Sequence, residues 1–394
     1  MHHPAIVVVT YNRPDSLTRL LGSLSKARYP DGVPLVISID GGNNRERKVV
    51  KIAEEFPWPY GKKEVICHEK NLGLRKHILS CGDLSEHYGS IIVLEDDTYV
   101  SPVFYHYAIQ TVHFYGDRPE IGGISLYAPR LNPTTHLIFE PLFDDTDVYF
   151  IQWPSSWGQI WTSRQWREFK QWYAQNDWPI TDDACIPDDA ISWPDTSWKK
   201  YYIKYLVETD RFFVYPRESL STSFQDAGLH QNYATIALQA QIQCFKETYR
   251  LQHLENSSCV YDAWHNLLPD RLSKFVPELI KYEYIVDLSG HRPFKKIQTP
   301  YLLTCRPAKN PIIQFGKKLR PVEMNVIEML PGNGIALCRK ADALDRTEII
   351  KVNGACLYPE LRVTFLLRLL LQRICAGVKR RLHRILRRKT AYRV

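Results

Sequence analysis

The stretch Ile91-Ile92-Val93-Leu94-Glu95-Asp96-Asp97 sets the tightest limit on what this chain can fold into. Four apolar residues, three of them β-branched, read as a strand buried on both faces, and the run ends abruptly in three acids. Consecutive carboxylates at a strand's carboxyl end repel one another and are costly to desolvate unless a cation sits among them. In an open α/β sheet that end is also where ligands bind. Hard oxygen ligands suit Mg²⁺ or Mn²⁺, and a metal with few protein ligands keeps positions free for substrate phosphates. The triplet therefore points to a metal-diphosphate site, with an acidic surface turn as the plainer alternative.

Units of strand, loop and helix precede it. Ala5 to Val9 is apolar without alternation and ends in Thr10-Tyr11-Asn12-Arg13-Pro14-Asp15, after which Leu17, Leu20, Leu21 and Leu24 recur at helical spacing. Pro34 to Ile39 is a second strand, and the glycines of Asp40-Gly41-Gly42 permit a tight turn that leaves Asp40 at the strand tip. A third strand, Lys63 to Cys67, leads through Asn71-Leu72-Gly73 into a helix expected to run to about His87. Amides at that helix start, with Arg75 and Lys76, form a favourable place for phosphate, although a solvated basic face reads equally well. After Asp97 an amphipathic helix carries Val103, Tyr107, Ile109 and Val112, so the first 115 or so residues spell a mostly parallel sheet with its polar tips on one edge. Neither a Walker A sequence nor GxGxxG is present, which disfavours P-loop and dinucleotide folds.

Bulk properties narrow the class. The chain has 394 residues, 44% of them hydrophobic and 12% aromatic, enough for a large core. Its +8 net charge belongs to the tail: residues 361–394 hold 11 Lys and Arg and no acid, leaving −3 before them, so nucleic acid is not an expected partner. Nine cysteines without a CxxC argue against zinc ribbons and disulfide scaffolds and favour a reducing compartment. No signal sequence and no run of about 18 apolar residues is evident, so a cytoplasmic location is expected.

Beyond the triplet, strands flank a proline-bearing loop between Ile121 and Ile151, and Trp153-Pro154-Ser155-Ser156-Trp157-Gly158-Gln159-Ile160-Trp161 precedes a helix from Ser163 to Ala174. Aromatic faces stack on sugar rings and a glycine admits close backbone approach, but tryptophans are equally ordinary core residues. Acids then crowd at 182, 183, 188, 189 and 195, ahead of a helix from Trp198 to Glu208 and a strand from Arg211 to Pro216. Gly228-Leu229-His230 closes a polar loop.

In this order Val7-Val8-Val9-Thr10-Tyr11-Asn12-Arg13-Pro14, Ile39-Asp40-Gly41-Gly42, Asn71-Leu72-Gly73, Val93-Leu94-Glu95-Asp96-Asp97, Trp157-Gly158, Tyr215-Pro216 and Gly228-Leu229-His230 resemble the GT-A class of nucleotide-sugar glycosyltransferases. Within it they are most similar to the inverting family-2 type and to N-acetylglucosaminyltransferase I-like enzymes. The resemblance covers roughly residues 4 to 235. It implies a Rossmann-like, mostly parallel α/β fold and a hexosyl or N-acetylhexosaminyl transfer that uses Mn²⁺ or Mg²⁺. Thr10, Tyr11, Asn12, Arg13 and Asp40 would then hold the nucleotide, with Asp40 near the base. Asp97 and His230 would hold the metal, and Glu95 and Asp96 would face the ribose or donor sugar. Asn71, Arg75, Trp157 and Gly158 would complete the donor site. The general base matches Asp195 best and Asp189 second, although the acidic context usual in the family is not intact there, and Asp195 could instead cap the helix that follows.

Residues 236–357 read as a mixed α/β extension packing on the catalytic domain of residues 1–235. It comprises a helix from Ala237 to Leu254 and short strands Ile312–Phe315, Met324–Met329, Ile335–Cys338 and Ile349–Val352. Residues 358–394 form a tail in which Leu367, Leu371, Ile374, Val378, Leu382 and Ile385 recur at helical spacing among arginines. Such a helix can lie on an anionic membrane or dock on the protein by its leucines. The reading is a transferase, peripheral on the inner face of the cell membrane, that moves a sugar from a nucleotide-sugar donor, UDP-linked by preference, to a glycan or lipid-linked acceptor. The alternatives are a sugar nucleotidyltransferase and a non-catalytic carbohydrate-binding protein at the membrane.

Overall fold

The computed structural model describes residues 3–42, 46–135, 137–176, 179–181, 183, 185–224 and 238–345, together with 364, 366–368, 370–375, 377 and 378. The chain forms two compact units, Met1–Arg346 and Thr347–Val394.

Strands β1 (Ala5–Thr10), β2 (Leu35–Ile39), β3 (Lys63–Cys67) and β4 (Ser90–Glu95) lie parallel in the order β3-β2-β1-β4. The helices between them are α1 (Pro14–Leu24), α2 (Glu46–Glu55), α3 (Leu74–Asp83) and α4 (Ser85–Tyr88). After β4 come β5 (Thr98–Val100) and α5 (Phe104–Tyr115). The apolar runs are buried on both faces as their lack of alternation predicts: Ala5, Val7, Val9, Ile91 and Val93 join one core, Ile6, Val8, Ile92 and Leu94 the other. Leu17, Leu20, Leu21 and Leu24 are the buried stripe of α1. The helix expected to reach His87 breaks at Leu84, where α4 begins.

The sheet continues in mixed orientation through β6 (Ile121–Ser125), β7 (Val148–Ile151), β8 (Gln159–Thr162), β9 (Phe212–Pro216) and β11 (Val260–Tyr261), in the overall order β11-β7-β9-β6-β8-β4-β1-β2-β3. Strand β10 (Ser221–Ser223) pairs with β5 as a separate ribbon. Helices α6 (Ser163–Gln175), α7 (Asp188–Ile191) and α8 (Trp198–Glu208) follow; α6 starts with a capping box in which the Thr162 hydroxyl accepts from Gln165 N at 3.3 Å and Gln165 Oε1 from Thr162 N at 3.1 Å.

Two expectations fail beyond the large sheet. Among the described residues no helix covers 238–253; the first helical turn there, Leu254–Asn256, is a single 3₁₀ turn. This segment is strung across the molecule instead: Arg250 N donates to Asp147 Oδ2 at 2.7 Å, Asp147 N to Arg250 O at 2.9 Å and Tyr249 N to Gln110 Oε1 at 3.1 Å. Amides satisfied by distant partners have no need of a helix. After α9 (Pro269–Phe275), a four-stranded sheet forms from β12 (Tyr284–Asp287), β13 (Tyr301–Thr304), β14 (Pro311–Phe315) and β15 (Ile335–Arg339) in the order β12-β13-β15-β14. The expected strand from Met324 is the short helix α10 (Met324–Ile327), where Asn325 turns its side-chain amide onto the 318–322 backbone rather than joining a ladder. Ile349–Val352 lies outside the described residues.

In the second unit the described residues between 364 and 378 are helical, which puts Leu367, Leu371, Ile374 and Val378 on one stripe; Leu382 and Ile385 lie outside the described residues. Among the described residues no helix is long and apolar enough to cross a membrane.

Candidate functional site

Parallel pairing sets the carboxyl ends of the first four strands side by side, with Thr10 beside Ile39 and Val9 beside Glu95. The ladder runs one residue past the strands: Asp40 N donates to Thr10 O at 2.9 Å, Asp96 N to Val9 O at 3.0 Å and His68 N to Ile39 O at 3.0 Å. At this edge the Thr10 hydroxyl donates to Asp96 Oδ2 at 2.8 Å, and Arg13 donates to Asp97 Oδ2 at 3.2 Å and to Asp96 Oδ1. Thr10, Arg13, Asp96 and Asp97, distant in sequence, thus form one cluster, with Tyr11 and Asn12 half-buried on the loop between β1 and α1.

Three acids against Arg13 and Lys199 leave one surplus formal negative charge in a buried place. Burial, then Asp97, pushes the Glu95 carboxyl up to about 8, and burial raises Asp96 to about 6 against the pull of Arg13. Burial opposes the Arg13 charge, but Asp96, Asp97 and Glu95 outweigh it and hold Arg13 above its ordinary value. Asp97 Oδ1 is buried and has no hydrogen-bond partner. A carboxylate oxygen left bare beside surplus negative charge fits a divalent cation. Among the described residues no three His, Cys, Asp or Glu side chains converge as a ready-made cage. That suits a metal held by one or two carboxylates and completed by phosphates. His230 lies outside the described residues, but the chain leaves for it from beside Asp97, with Phe224 N donating to Asp97 O at 2.8 Å.

Asp40 has a different employment. It is buried, its Oδ1 accepts from Gly41 N at 2.9 Å and Leu72 N at 2.7 Å, and its Oδ2 accepts from Gly73 N at 3.0 Å. The carboxylate thereby takes amides at the entrance to α3 that the sequence reading offered to phosphate. Gly41 is required for this turn, because a Cβ there would meet His68 O at 2.2 Å. Asn71 is exposed on the same loop, and Arg75 lies over the ring of Tyr201 at 4.9 Å.

Trp157 packs edge-on against Tyr127 at 4.7 Å. Gly158 has φ +92°, and a Cβ on it would sit 3.1 Å from Leu126 Cβ and 3.2 Å from Ser221 Oγ, so packing within the protein accounts for the glycine. Asp195 does not cap α8: the N-cap is Ser197, and Asp195 instead receives Lys200 Nζ at 2.6 Å with its side chain 56% exposed. Asp189 pairs with His291 Nε2 at 2.9 Å.

The structure also brings forward residues the sequence reading passed over. Lys199, next to the Trp198 that starts α8, places Nζ 5.6 Å from the Trp153 ring and 5.8 Å from that of Trp193; burial pushes it down to about 8 against the pull of Glu95. His265, at φ +61°, stands edge-on to Trp153 at 5.5 Å and Phe139 at 5.0 Å. Burial, then Lys199, pushes it down to about 3; neither ring nitrogen makes a well-formed hydrogen bond, the Ala263 backbone being a weak polar neighbour. Gln159, opposite Val93 and so on the face of Glu95, is fully buried with both amide ends unpartnered. The string Asp262-Ala263-Trp264-His265-Asn266 was a visible polar-aromatic signal; the approach of Lys199 to Glu95 left none.

Fold and site together define an α/β protein with a cluster of acids and one arginine at the carboxyl edge of its parallel strands. No family model matches the chain, and no curated protein does either. Among solved structures it is similar to S. aureus TarS residues 1–349, at 15% identity and a TM-score of 0.37 over 55% of this chain and 59% of that one. The same protein in complex with UDP-GlcNAc gives 13% and 0.38 over 57% and 59%. The mannosyltransferase PcManGT from Pyrobaculum calidifontis, in complex with GDP-Man and Mn²⁺, gives 13% and 0.30 over 43% and 46%. The chain thus spans less than two thirds of the length of these structures.

Proposed function

We propose that the protein is a metal-dependent, inverting GT-A glycosyltransferase that transfers a hexosyl or N-acetylhexosaminyl group from a nucleotide-sugar, UDP-linked by preference, to a glycan or lipid-linked acceptor. The observation that carries this reading is the cluster of Thr10, Arg13, Asp96 and Asp97 at one strand edge, with a buried Asp97 oxygen that no protein group satisfies. Mg²⁺ or Mn²⁺ held by Asp97 and His230 would neutralise charge on the leaving diphosphate. Arg13 fixes the acids, while Glu95, on the sheet face shared with Gln159 and near Lys199, would receive sugar hydroxyls. Asp195, on the turn before α8 and open to solvent, is the proposed base that takes the acceptor proton, with Asp189 second. The tail helix is proposed to rest on the inner face of the cell membrane, its leucine stripe in the headgroup region.

Thermal melting with UDP, GDP, CMP and TDP, each with and without Mn²⁺, tests the reading. A nucleotide at about a hundred times its Kd stabilises by about 2.7 kcal/mol, roughly 4 °C for a unit of this size. The expected result is a metal-dependent rise with one nucleotide that is absent in Asp97→Ala. No rise with any of the four would sink the transferase reading.

A further inference from the structure

Glu95 ends β4 at the acid cluster, and Lys199 lies in the first turn of α8, whose Trp198, Tyr201 and Tyr202 pack in the same core as Ile91 and Val93. Both side chains are half-buried, and each charge is close enough to act on the other. Yet among the described residues neither makes an ion pair or a hydrogen bond. The ammonium is held instead by aromatic rings, 5.6 Å from that of Trp153 and 5.8 Å from that of Trp193, which attract its charge and leave its N–H donors unspent. A carboxylate and an ammonium that face each other without closing leave a gap between an acceptor and a donor.

A second observation comes from the strand beside β4. Gln159 pairs with Val93, so its side chain leaves the sheet on the face of Val93 and Glu95, and diagonal neighbours of an antiparallel pair lie about 7–8 Å apart. It is 0% exposed, and neither its amide oxygen nor its amide nitrogen has a partner. Burying a bare carboxamide is destabilising, and a site that keeps the group for a ligand accounts for it. The three groups together select the ligand. A carboxylate only accepts, an ammonium only donates and a carboxamide does both, as does every sugar hydroxyl. One hydroxyl donating to Glu95 and accepting from Lys199 therefore fits the gap, and its neighbour on the ring fits the Gln159 amide. The charges of Glu95 and Lys199 cancel, burial keeps the nearby His265 neutral, and Arg13 is engaged with Asp96 and Asp97. The gap has no net positive charge to offer an anionic group, and Glu95 repels one.

We propose that this gap receives the transferred sugar and selects a neutral ring with two adjacent free hydroxyls, one bridging Glu95 and Lys199 and the next held by Gln159. The proposal rests on the transferase reading, which puts the diphosphate at Asp97, two residues from Glu95, and it names the class of sugar that the reading leaves open. Asp195, the base of that reading, stands on the turn that leads into the helix of Lys199.

The test is calorimetric titration of the whole protein with Mn²⁺ present, on the wild type, Lys199→Met and Gln159→Met. The probes are UDP, UDP-glucose, UDP-galactose, UDP-N-acetylglucosamine, UDP-glucuronate, GDP and GDP-mannose. At least one neutral conjugate is expected to bind each variant about tenfold less tightly than the wild type, with the affinity of its bare nucleotide unchanged. UDP-glucuronate is expected to bind the wild type no more tightly than UDP does. Three results would overturn the proposal: neutral conjugates held as tightly by either variant as by the wild type, bare nucleotide losing as much as its conjugate, or UDP-glucuronate binding more tightly than every neutral conjugate. Each of them leaves the transferase reading standing, whereas failure of all the probes to bind removes that reading and the proposal together.

Discussion

Replacing Asp40 separates two roles that a strand-tip carboxylate can have. In the structure both oxygens are spent on the protein, accepting from the amides of Gly41, Leu72 and Gly73. Asp40→Ala strands all three donors, and a buried donor left unpaired costs about 1–3 kcal/mol. Gly41 is buried, so its amide bears the full cost; Leu72 and Gly73 are half-buried, and water recovers part of theirs. The sum is about 3 kcal/mol, a fall in melting midpoint of roughly 4 °C for a unit of this size. Asp40→Asn keeps an acceptor for two of the amides and turns an NH₂ toward the third, for a loss of roughly half as much. Urea and thermal melts give the global value, and hydrogen exchange gives the local one: the Leu72 and Gly73 amides are expected to exchange at least about tenfold faster in Asp40→Ala. If Asp40→Ala melts and exchanges like the wild type while losing its response to nucleotide, the carboxylate serves a ligand and the structural account of it is wrong.

Glu323 is buried without a cationic partner among the described residues, and burial raises its carboxyl from 4.5 to about 7. The folded state therefore binds more protons at this group than the unfolded one between those values, so the stability Glu323 contributes is full below pH 4.5 and is lost as pH rises through 7; Glu323→Gln is expected to add up to about 3 kcal/mol at pH 8 and almost nothing at pH 4, read by urea denaturation at both. Gly41→Ala drives a Cβ to 2.2 Å from the His68 carbonyl and is expected to cost at least about 2 kcal/mol, whereas Gly22→Ala, inside α1 with nothing within 4 Å, is expected to gain about 0.5–1 kcal/mol; equal melts for the two would contradict the packing. The wild type is expected to float with anionic liposomes, and Leu371→Glu, which breaks the tail's apolar stripe while leaving its arginines, is expected to lose most of that binding; equal binding by the two would mean that charge alone holds the tail to lipid.

Much of the molecule is written in its local pattern. The runs Ala5 to Val9 and Ile91 to Leu94 lack alternation because both faces of their strands are covered, and the leucines of α1 recur at the helical period because one face is; neither inference needs any knowledge of the rest of the chain. Once the strands are parallel, the residues that end them must meet at one edge, which is why Thr10, Arg13, Asp96 and Asp97 could be grouped from sequence. Other features depended on partners that only folding supplies. Asp40 looked free at a strand tip until the 71–73 loop folded back and claimed both its oxygens. Residues 238–253 have a helical pattern but are drawn out by Asp147 and Gln110, and Gly158 is explained by Leu126 and Ser221 rather than by a ligand. The nearness of Lys199, His265 and Glu95 arises where segments distant in the chain pack around Trp153. Periodicity and strand-end chemistry are properties of neighbours in the chain, and the sequence determines them alone; which buried polar group faces which is set by contacts between distant segments, and that the tertiary structure decided.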